Sequence, residues 1–542
     1  MQLVLSVPSL SARSSEDMEL QPPKVKKWLE DLPLLNIAET SRKLLSTLTI
    51  HNRVEFDNPR RLELLELFRH PVNEISLELT KQYIGLPLPL SEKHRTIAEQ
   101  NRQLQMELAN GYKRIVLNST DKAGDRKALM MLALTVQRAI RHLTGVLTAS
   151  YQIYAPYPDG TWQEIHALFT HAEKSRIIEI EVDDPLNKAL AKSSVSHAYK
   201  QALLLDFSDP YHLPSRMIDR IHHYLDRWAS IAQLSQVTQT YNPTCQFLID
   251  QEKDCAGIVY SADTVPDKLN HCRLLNTVEL ARQAHAQLTL LKSGQTPPPE
   301  GLQENFFQEA GQDFLKRSIS AWGINPQRSF RRSQRSGRRV DIAIGLDAIN
   351  YWINGGKKFV VSSNFVGPMP QRTQLGIEEK KPATAWMSER EYSTWNVEDE
   401  GAGGLSLSKS GQIRVPVQVG DLVITRAPGE GGSWDVGVIR WAKSPGSSNI
   451  EIGIQHLAPS AEPAVIKTVS EKQIESDFLA ALLLPEIKPL KQLQTLITQR
   501  GIGKPGVEIF MDNGYRLYRI APTRLIEASH SFEQFSFEIL DS

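Results

Sequence analysis

The sequence predicts an α + β protein of several domains, in which an N-terminal all-α helical domain precedes a small antiparallel β-barrel and a C-terminal small β region. Three observations support this fold class. The 542 residues are too many for one hydrophobic core and suggest about three or four domains. Apolar residues recur with the helical period from about residue 23 to residue 292. After residue 340 the period changes to two, which is typical of strands.

The N-terminal end is polar and rich in serine, and we expect residues 1–22 to form a disordered tail. No basic segment precedes its short apolar start, so it makes a poor signal peptide. The most apolar internal run, Ala128 to Val136, is too short to span a bilayer. The sequence therefore predicts a cytoplasmic protein without a membrane span.

The helical domain is predicted from residue 23 to residue 292, because apolar residues form one stripe per helix and polar residues fill the other positions. One stripe contains Ile97, Leu104, Leu108, Tyr112 and Ile115. The next contains Leu129, Leu132, Val136, Ile140 and Leu143. No fixed period assigns the helices to a named repeat family. These patterns indicate the half-buried helices of a bundle or an α-solenoid.

A proline-rich linker, residues 293–303, is expected after the helical domain, because three consecutive prolines prevent the helix from continuing. A connecting helix follows at residues 304–324. Short runs with period two then predict antiparallel strands of a barrel over residues 325–460. A further β region occupies residues 472–542, and its pattern allows either an extension of the first barrel or a second one.

The charge of the chain is balanced overall but concentrated locally. Lys and Arg number 62, as do Asp and Glu, so any binding of an anion must be local. Six arginines and no acid lie between Arg328 and Arg339. Arginine holds phosphate bidentately, contacts guanine through O6 and N7, and stacks on bases. The same cluster is also compatible with a solvated basic linker or a nucleic-acid patch.

A second stretch, WNVEDEGAGGLSLS from Trp395 to Ser408, combines an acid with glycines ahead of an apolar strand. The carboxylate of Asp399 can accept hydrogen bonds from the N1 and N2 edge of a guanine. Glycines allow a ligand to lie against the backbone. The stretch does not match the G-x-G-x-x-G fingerprint of a dinucleotide-binding loop, which follows a strand and opens a helix.

These stretches together resemble the PilZ domain, a six-stranded barrel that binds cyclic di-GMP. Its R-x-x-x-R motif is matched from Arg331 to Arg335, with Arg328 to Arg332 and Arg335 to Arg339 as alternative registers. Its D/N-x-S-x-x-G motif is matched from Asp399 to Gly404, and its two last strands by VGVIRW and IGIQHL. The resemblance covers about residues 325–460, a quarter of the chain.

The resemblance implies a cyclic di-GMP site. The arginines would clamp the phosphates and guanines, and Asp399 would accept hydrogen bonds from a guanine. Gly404 would allow the ligand to approach the backbone closely. Gly401 stands where the family has serine, and one lost hydrogen bond of about 0.5–1.5 kcal/mol would weaken binding up to roughly tenfold. The implied ligand-binding residues are Arg331, Arg332, Arg335, Asp399, Gly401 and Gly404, with Arg328 and Arg339 as auxiliary residues.

No stretch predicts catalysis, a metal site or a cofactor. GIGKP, residues 501–505, lacks the spacing of a phosphate-binding loop and has proline after the lysine. His222 and His223 are adjacent on a predicted helix, where side chains point about 100° apart and do not chelate one metal. The three cysteines include no C-x-x-C pair, which favours reduced thiols over zinc or disulfides.

We therefore expect a non-enzymatic cytoplasmic receptor for cyclic di-GMP. Its helical domain would dock a protein partner. Binding of cyclic di-GMP would change how the helical domain is presented to that partner, through a hinge at the linker after Ser293. One alternative is a degenerate PilZ-like scaffold that binds only protein. The other is a nucleic-acid-binding protein that uses the arginine cluster. The long loop from Gly355 to Thr394 either covers the site or packs on the helical domain.

Overall fold

The computed structural model divides the chain into two compact units. The first contains residues 1–86 and 90–327, and the second contains residues 87–89 and 328–542. The structure describes residues 3–11, 21–119, 125–237, 245–261, 269–308, 310–323, 333–334, 337–362, 391–429, 433–469, 478–486, 493–504 and 506–541.

The first unit is predominantly helical, as the sequence predicts. Its helices are α1 (Pro22–Glu30), α2 (Ile37–His51), α3 (Asn58–Tyr83), α4 (Glu92–Asn118), α5 (Arg126–Gln152), α6 (Thr161–Lys174), α7 (Val195–Asp206), α8 (Ser215–Trp228), α9 (Val278–Lys292) and α10 (Gly311–Gly323). Side chains cap several N-termini: the Asp57 carboxylate accepts from the backbone N–H of Arg60 at 2.8 Å, and Asp125 accepts from that of Lys127 at 2.9 Å. Both predicted apolar stripes lie in the core, apart from Ile97 and Leu129, which are partly buried at its edge.

Small sheets interrupt the helical unit, and the helical periodicity did not predict them. Two short strands, β1 (Val182–Asp183) and β2 (Lys192–Ser193), form one antiparallel pair. A four-stranded antiparallel sheet has the order β3-β6-β4-β5. Its strands are β3 (Gln233–Gln236), β4 (Gln246–Asp250), β5 (Ile258–Val259) and β6 (Cys272–Asn276). An apolar run of five residues reads equally well as a strand or as part of a buried helix, so period alone could not separate them.

The predicted disordered tail is wrong for residues 3–11, which pack against the first unit. Leu5 is buried in its core, and the backbone N–H of Ser6 donates to the Glu164 carboxylate at 2.7 Å. The backbone N–H of Ser11 donates to the carbonyl of Arg53 at 2.8 Å. One buried leucine and these hydrogen bonds order a segment whose polar composition suggested disorder.

The predicted linker does not join the two units. The chain after Ser293 stays within the first unit, where Pro297 is buried and the Arg227 guanidinium donates to the carbonyl of Glu300 at 2.8 Å. Phe306 and Phe307 then enter the same core. The prolines end helix α9, as expected, but the boundary between the units lies after residue 327, so a hinge at Ser293 is corrected.

The second unit begins with a closed six-stranded antiparallel barrel, in the order β10-β13-β12-β11-β8-β9, in which β9 also pairs with β10. A short strand, β7, is added beside β9, and one helix, α11, follows β8. These elements are β7 (Ser333–Gln334), β8 (Arg339–Ile344), α11 (Leu346–Ile353), β9 (Ser393–Gly401), β10 (Gly404–Ser410), β11 (Leu422–Arg426), β12 (Asp435–Gly446) and β13 (Asn449–Ala458).

The C-terminal β region is a second closed six-stranded barrel, in the order β14-β15-β16-β19-β18-β17, closed by β14 pairing with β17. Its strands are β14 (Glu462–Val469), β15 (Leu479–Leu484), β16 (Thr495–Thr498), β17 (Glu508–Asp512), β18 (Leu517–Ala528) and β19 (Glu533–Asp541).

The two barrels share a hydrophobic core. Ile424 and Val436 of the first barrel lie in one cluster with Leu482 and Ile497 of the second. The side-chain amide of Asn350, on α11, donates to the carbonyls of Ala464 at 2.7 Å and Ala481 at 2.9 Å. The question that the sequence left open is therefore answered: the region forms a separate barrel that is packed on the first.

The long loop after α11 is fastened to this second barrel where it is described. Ser362 donates from its backbone N–H and its hydroxyl to the Asp512 carboxylate, at 2.7 Å and 2.8 Å. Residues 363–390 of the loop lie outside the described residues. Within the described ranges, no helix is both long enough and apolar enough to cross a membrane.

Candidate functional site

The described residues of the arginine-rich segment pair with strand β9 in an antiparallel register. Ser333 and Gln334, which form β7, pair with Glu400 and Asp399 respectively. Facing residues of antiparallel strands lie about 5 Å apart at their Cα atoms, so the segment passes directly beside the predicted guanine acceptor. The described backbone of Ser333 and Gln334 therefore lies at the same barrel edge as Asp399, about 65 residues away in sequence.

The pairing of β9 is irregular at its centre. On the side of the arginine segment, the backbone N–H of Val397 donates to the carbonyl of Arg338 at 2.9 Å, and Gly337, the residue before Arg338, has a φ of +86°. On the other side of β9 the register with β10 shifts at the same place, which leaves Glu398 as the extra residue. Bulges of this kind bend a strand and redirect its side chains. Strand β9 is therefore distorted next to the position where Arg338 contacts it.

Several predicted site residues are not covered by the structure. Arg328, Arg331, Arg332 and Arg335 lie outside the described residues, so their roles stay predictions. Arg339 is exposed, and its backbone pairs with Asn396 of β9.

Asp399 and Gly401 are both half-buried on β9. Gly401 pairs with Gly404 across the two-residue turn between β9 and β10. Asp399 also faces Ser406 on β10, so a hydroxyl-bearing residue is its neighbour even though Gly401 itself has none.

Gly404 has a structural role in the barrel that the sequence did not predict. Its φ is +154°, and a Cβ added there would lie 2.0 Å from the backbone carbonyl oxygen of Ile454 on β13. No other residue fits this close passage of β10 against β13. The contact between two strands of the barrel thus requires glycine here, and the expected close approach of a ligand stays a prediction.

Sequence reasoning missed Arg338, whose guanidinium forms an ion pair with the Glu400 carboxylate. The backbone carbonyl of Arg338 accepts from the N–H of Val397 at 2.9 Å, which fixes the base of this side chain on β9. The spacing of R-x-x-x-R does not include Arg338, so only the register between the segment and β9 could have identified it.

The charges around this ion pair extend to strand β12. Burial raises the pKa of Asp435; the positive charges of His456 and Arg338 lower it, while the negative charge of Glu400 raises it. The same end of the barrel therefore holds acidic and basic side chains close enough to influence one another.

The other candidate motifs are accounted for without a ligand. In GIGKP, the backbone N–H groups of Gly501 and Ile502 donate to the carboxylate of Glu533, at 3.0 Å and 2.6 Å. The protein's own acid thus occupies the position where a phosphate would bind.

The histidine and cysteine candidates do not form a metal site. The rings of His222 and His223 meet edge to face, with centroids 5.9 Å apart. Burial raises the pKa of each thiol, of Cys245, Cys255 and Cys272, which are free cysteines. Among the residues that the structure describes, no group of three or more His, Cys, Asp or Glu side chains could hold a metal ion.

A cavity of about 540 Å³ lies at the opposite end of β9 from Asp399. It is lined partly by Trp352, Tyr392, Lys409 and Arg414. It is separate from the turn between β9 and β10 and contains none of the predicted site residues.

Comparison with known proteins matches nearly the whole chain to three domain families. The N-terminal domain of the cyclic-di-GMP receptor FimW matches residues 23–240, and the middle PilZ domain of that receptor matches residues 246–388 and 368–463. The C-terminal β-barrel domain of FimW matches residues 464–540. The cyclic-di-GMP receptor FimW of Pseudomonas aeruginosa is 26% identical over 588 aligned residues, which cover 99% of this chain and 93% of that receptor.

Proposed function

The chain belongs to the PilZ-domain proteins of the FimW type, and from this membership and the course of its arginine-rich segment we propose that it is a receptor for cyclic di-GMP. The observation that carries the proposal is the pairing of Ser333 and Gln334 with Glu400 and Asp399. This pairing supports a single site made from the arginine segment and the turn after β9.

In the proposed site, each part of the ligand meets a matching group. Arg331 and Arg335 hold the phosphates bidentately or stack on the guanines, and Arg332, Arg328 and Arg339 assist them. Asp399 accepts from the N1 and N2 edge of a guanine. A permanently charged guanidinium and an ionised carboxylate select a ligand that is both anionic and rich in hydrogen-bond donors, which favours a guanine dinucleotide over inorganic phosphate.

Gly401 lowers the affinity of the proposed site without abolishing it. The hydroxyl that the PilZ motif provides at this position is absent, and its hydrogen bond contributes about 0.5–1.5 kcal/mol. We expect Gly401→Ser to tighten binding by up to roughly tenfold.

The protein acts in this proposal as a cytoplasmic binding protein without catalysis, and its helical unit docks a protein partner. The chain enters the second unit at residues 87–89 and again at Arg328, so the arginine segment is one of the stretches that connect the two units. Ligand bound to this segment would therefore act on a connection between the units. Small-angle scattering with and without saturating cyclic di-GMP measures this, and superimposable curves would contradict the coupling.

Calorimetric titration of the whole chain tests the binding proposal. We expect heat with cyclic di-GMP and none with cyclic di-AMP at the same concentration, because adenine lacks the N1 and N2 donors that Asp399 would accept from. Arg335→Ala should weaken binding by roughly 10- to 100-fold and Asp399→Ala by about tenfold, because each removes charge-assisted hydrogen bonds. Arg282→Ala is the matched control, since this exposed arginine lies on α9 and pairs with Glu279.

Other outcomes would favour the alternatives. The absence of heat and of competition at tens of micromolar cyclic di-GMP would favour a scaffold that binds only protein. Binding to nucleic acid with a steep dependence on salt and little effect of Asp399→Ala would favour the nucleic-acid alternative.

A further inference from the structure

Strand β9 ends with three consecutive acids beside the most basic stretch of the chain. Glu398, Asp399 and Glu400 are followed by Gly401, the last residue of β9, and then by the turn to β10. Glu398 accepts a hydrogen bond from the hydroxyl of Ser408, on the neighbouring strand. Glu400 forms its ion pair with Arg338, on the arginine segment. Glu400 therefore occupies a cation of the arginine segment that a ligand could use.

The geometry of this ion pair suits exchange. The side chains of Arg338 and Glu400 are 46% and 31% exposed, so an incoming anion can reach both. The backbone of Arg338 is fixed by its hydrogen bond with Val397, so its guanidinium stays at the barrel edge when its partner changes. A guanidinium binds carboxylate and phosphate through the same two parallel hydrogen bonds, and one carboxylate can block that face to a phosphate.

We propose that Glu400 is the residue that sets the affinity of the site, by occupying Arg338 in place of a phosphate of the ligand. This inference rests on the proposed binding of cyclic di-GMP. The ligand carries two negative charges. To bind, it must replace Glu400 as the partner of Arg338, and it must also overcome electrostatic repulsion by the Glu400 carboxylate. The negative charge of Glu400 already acts on Asp435, whose pKa it raises together with burial. Glu400 therefore keeps the site unoccupied until the ligand reaches a higher concentration.

The proposal predicts that removing one charge tightens binding. Glu400→Gln keeps the shape of the side chain and should lower the Kd for cyclic di-GMP by roughly two- to tenfold, which is the range expected for a partly exposed charge pair. The gain should shrink as salt is raised, because screening weakens the pair in the wild-type protein. Arg338→Gln should weaken binding, since it removes a cation from the site.

The double variant separates exchange from a general change in charge. If Glu400 acts by holding Arg338, Glu400→Gln should give a much smaller gain in an Arg338→Gln background than in the wild-type background. Glu398→Gln is the matched control, because it removes the same charge from the same strand without releasing an arginine, and its Kd should stay within about twofold of the wild-type value.

Calorimetric titrations of these variants at two salt concentrations decide the matter. Tighter binding by Glu400→Gln alone supports the proposal, including the case in which the wild-type protein binds too weakly to measure. Equal affinities of Glu400→Gln and the wild-type protein, or equal gains from Glu398→Gln, would overturn it while cyclic di-GMP binding stands. If neither the wild-type protein nor Glu400→Gln binds the ligand, the proposed function fails and this inference fails with it.

Discussion

Gly404→Ala should destabilise the second unit strongly, because the structure leaves no space for a methyl group at this position. The new Cβ would lie 2.0 Å from the carbonyl oxygen of Ile454, and real contacts of this type essentially never fall below 3.0 Å. Strand β13 must therefore move away by about 1 Å, although it is hydrogen-bonded to β10 along its length. The φ of +154° adds backbone strain for any residue with a Cβ.

The size of the loss follows from these two effects. Backbone strain of this kind costs about 1–3 kcal/mol, and overpacking in a rigid core costs about as much again. A total near 4 kcal/mol lowers the melting temperature of a unit of this size by roughly 8–16 °C. Scanning calorimetry of the whole chain measures the shift. Gly446→Ala is the matched control, because an added Cβ there meets no atom within 4 Å, and its melting temperature should be unchanged.

A wild-type melting temperature for Gly404→Ala would refute the structural role of this glycine. If such a stable variant had also lost cyclic di-GMP binding, the original expectation of a close approach by the ligand would be restored. A destabilised variant that still binds the ligand below its melting temperature would confirm that Gly404 serves the barrel.

Two further predictions concern charged groups elsewhere. Burial raises the pKa of Asp206 to about 6 although the Tyr151 hydroxyl donates to it, so its contribution to stability is complete below pH 4 and is lost as pH rises through 6. Asp206→Asn should remove this loss. Urea denaturation at pH 4.5 and 7.5 measures the free energy of unfolding, and its difference between the two pH values should be about 1–2 kcal/mol smaller in Asp206→Asn than in the wild-type protein. An equal difference in the two proteins would contradict the prediction. Glu527→Gln should cost the second unit about 1 kcal/mol, because it breaks a bidentate pair with Arg440 at 2.5 Å and 2.9 Å. Thermal unfolding should show that Arg440→Gln adds little to that loss, whereas additive losses would mean that the two side chains act independently.

The sequence was most informative where a local pattern has one structural meaning. The alternation from Val340 to Ile344 predicted strand β8, and Val340 and Ile342 are buried as expected. The opposite face of β8 was harder to interpret. Asp341 and Ala343 are also buried, Asp341 beside Arg426 and Ala343 in the core shared with the second barrel. Small and polar residues at alternate positions suggest solvent, yet they also suit a face that another domain covers.

Patterns with two structural meanings were not resolved by the sequence. Three prolines after α9 showed where a helix ends, but packing of the following residues decides which unit they join. The run LAALLLP, in strand β15, suited either an extension of the first barrel or a second barrel. Its leucines 482 and 484 face the core shared by the barrels, whereas Leu483 faces the interior of the second. A strand buried on both faces loses the alternation that would reveal which sheet it belongs to.

The candidate site shows most clearly why residue types are easier to predict than their neighbours. The charge of an arginine or an aspartate is known from its residue type alone, so the sequence was enough to propose the arginine segment and Asp399 as site residues. Which side chains share a charge depends on strand register, and moving the register by one residue would exchange the neighbours of every side chain. The backbone contact of Arg338 with Val397 places its guanidinium within reach of Glu400, three residues further along β9, and this long-range register has no local signature. In our proposal, the affinity of the receptor depends on this ion pair, which the motifs omit, and exchange of the pair would link the amount of ligand to the state of the arginine segment.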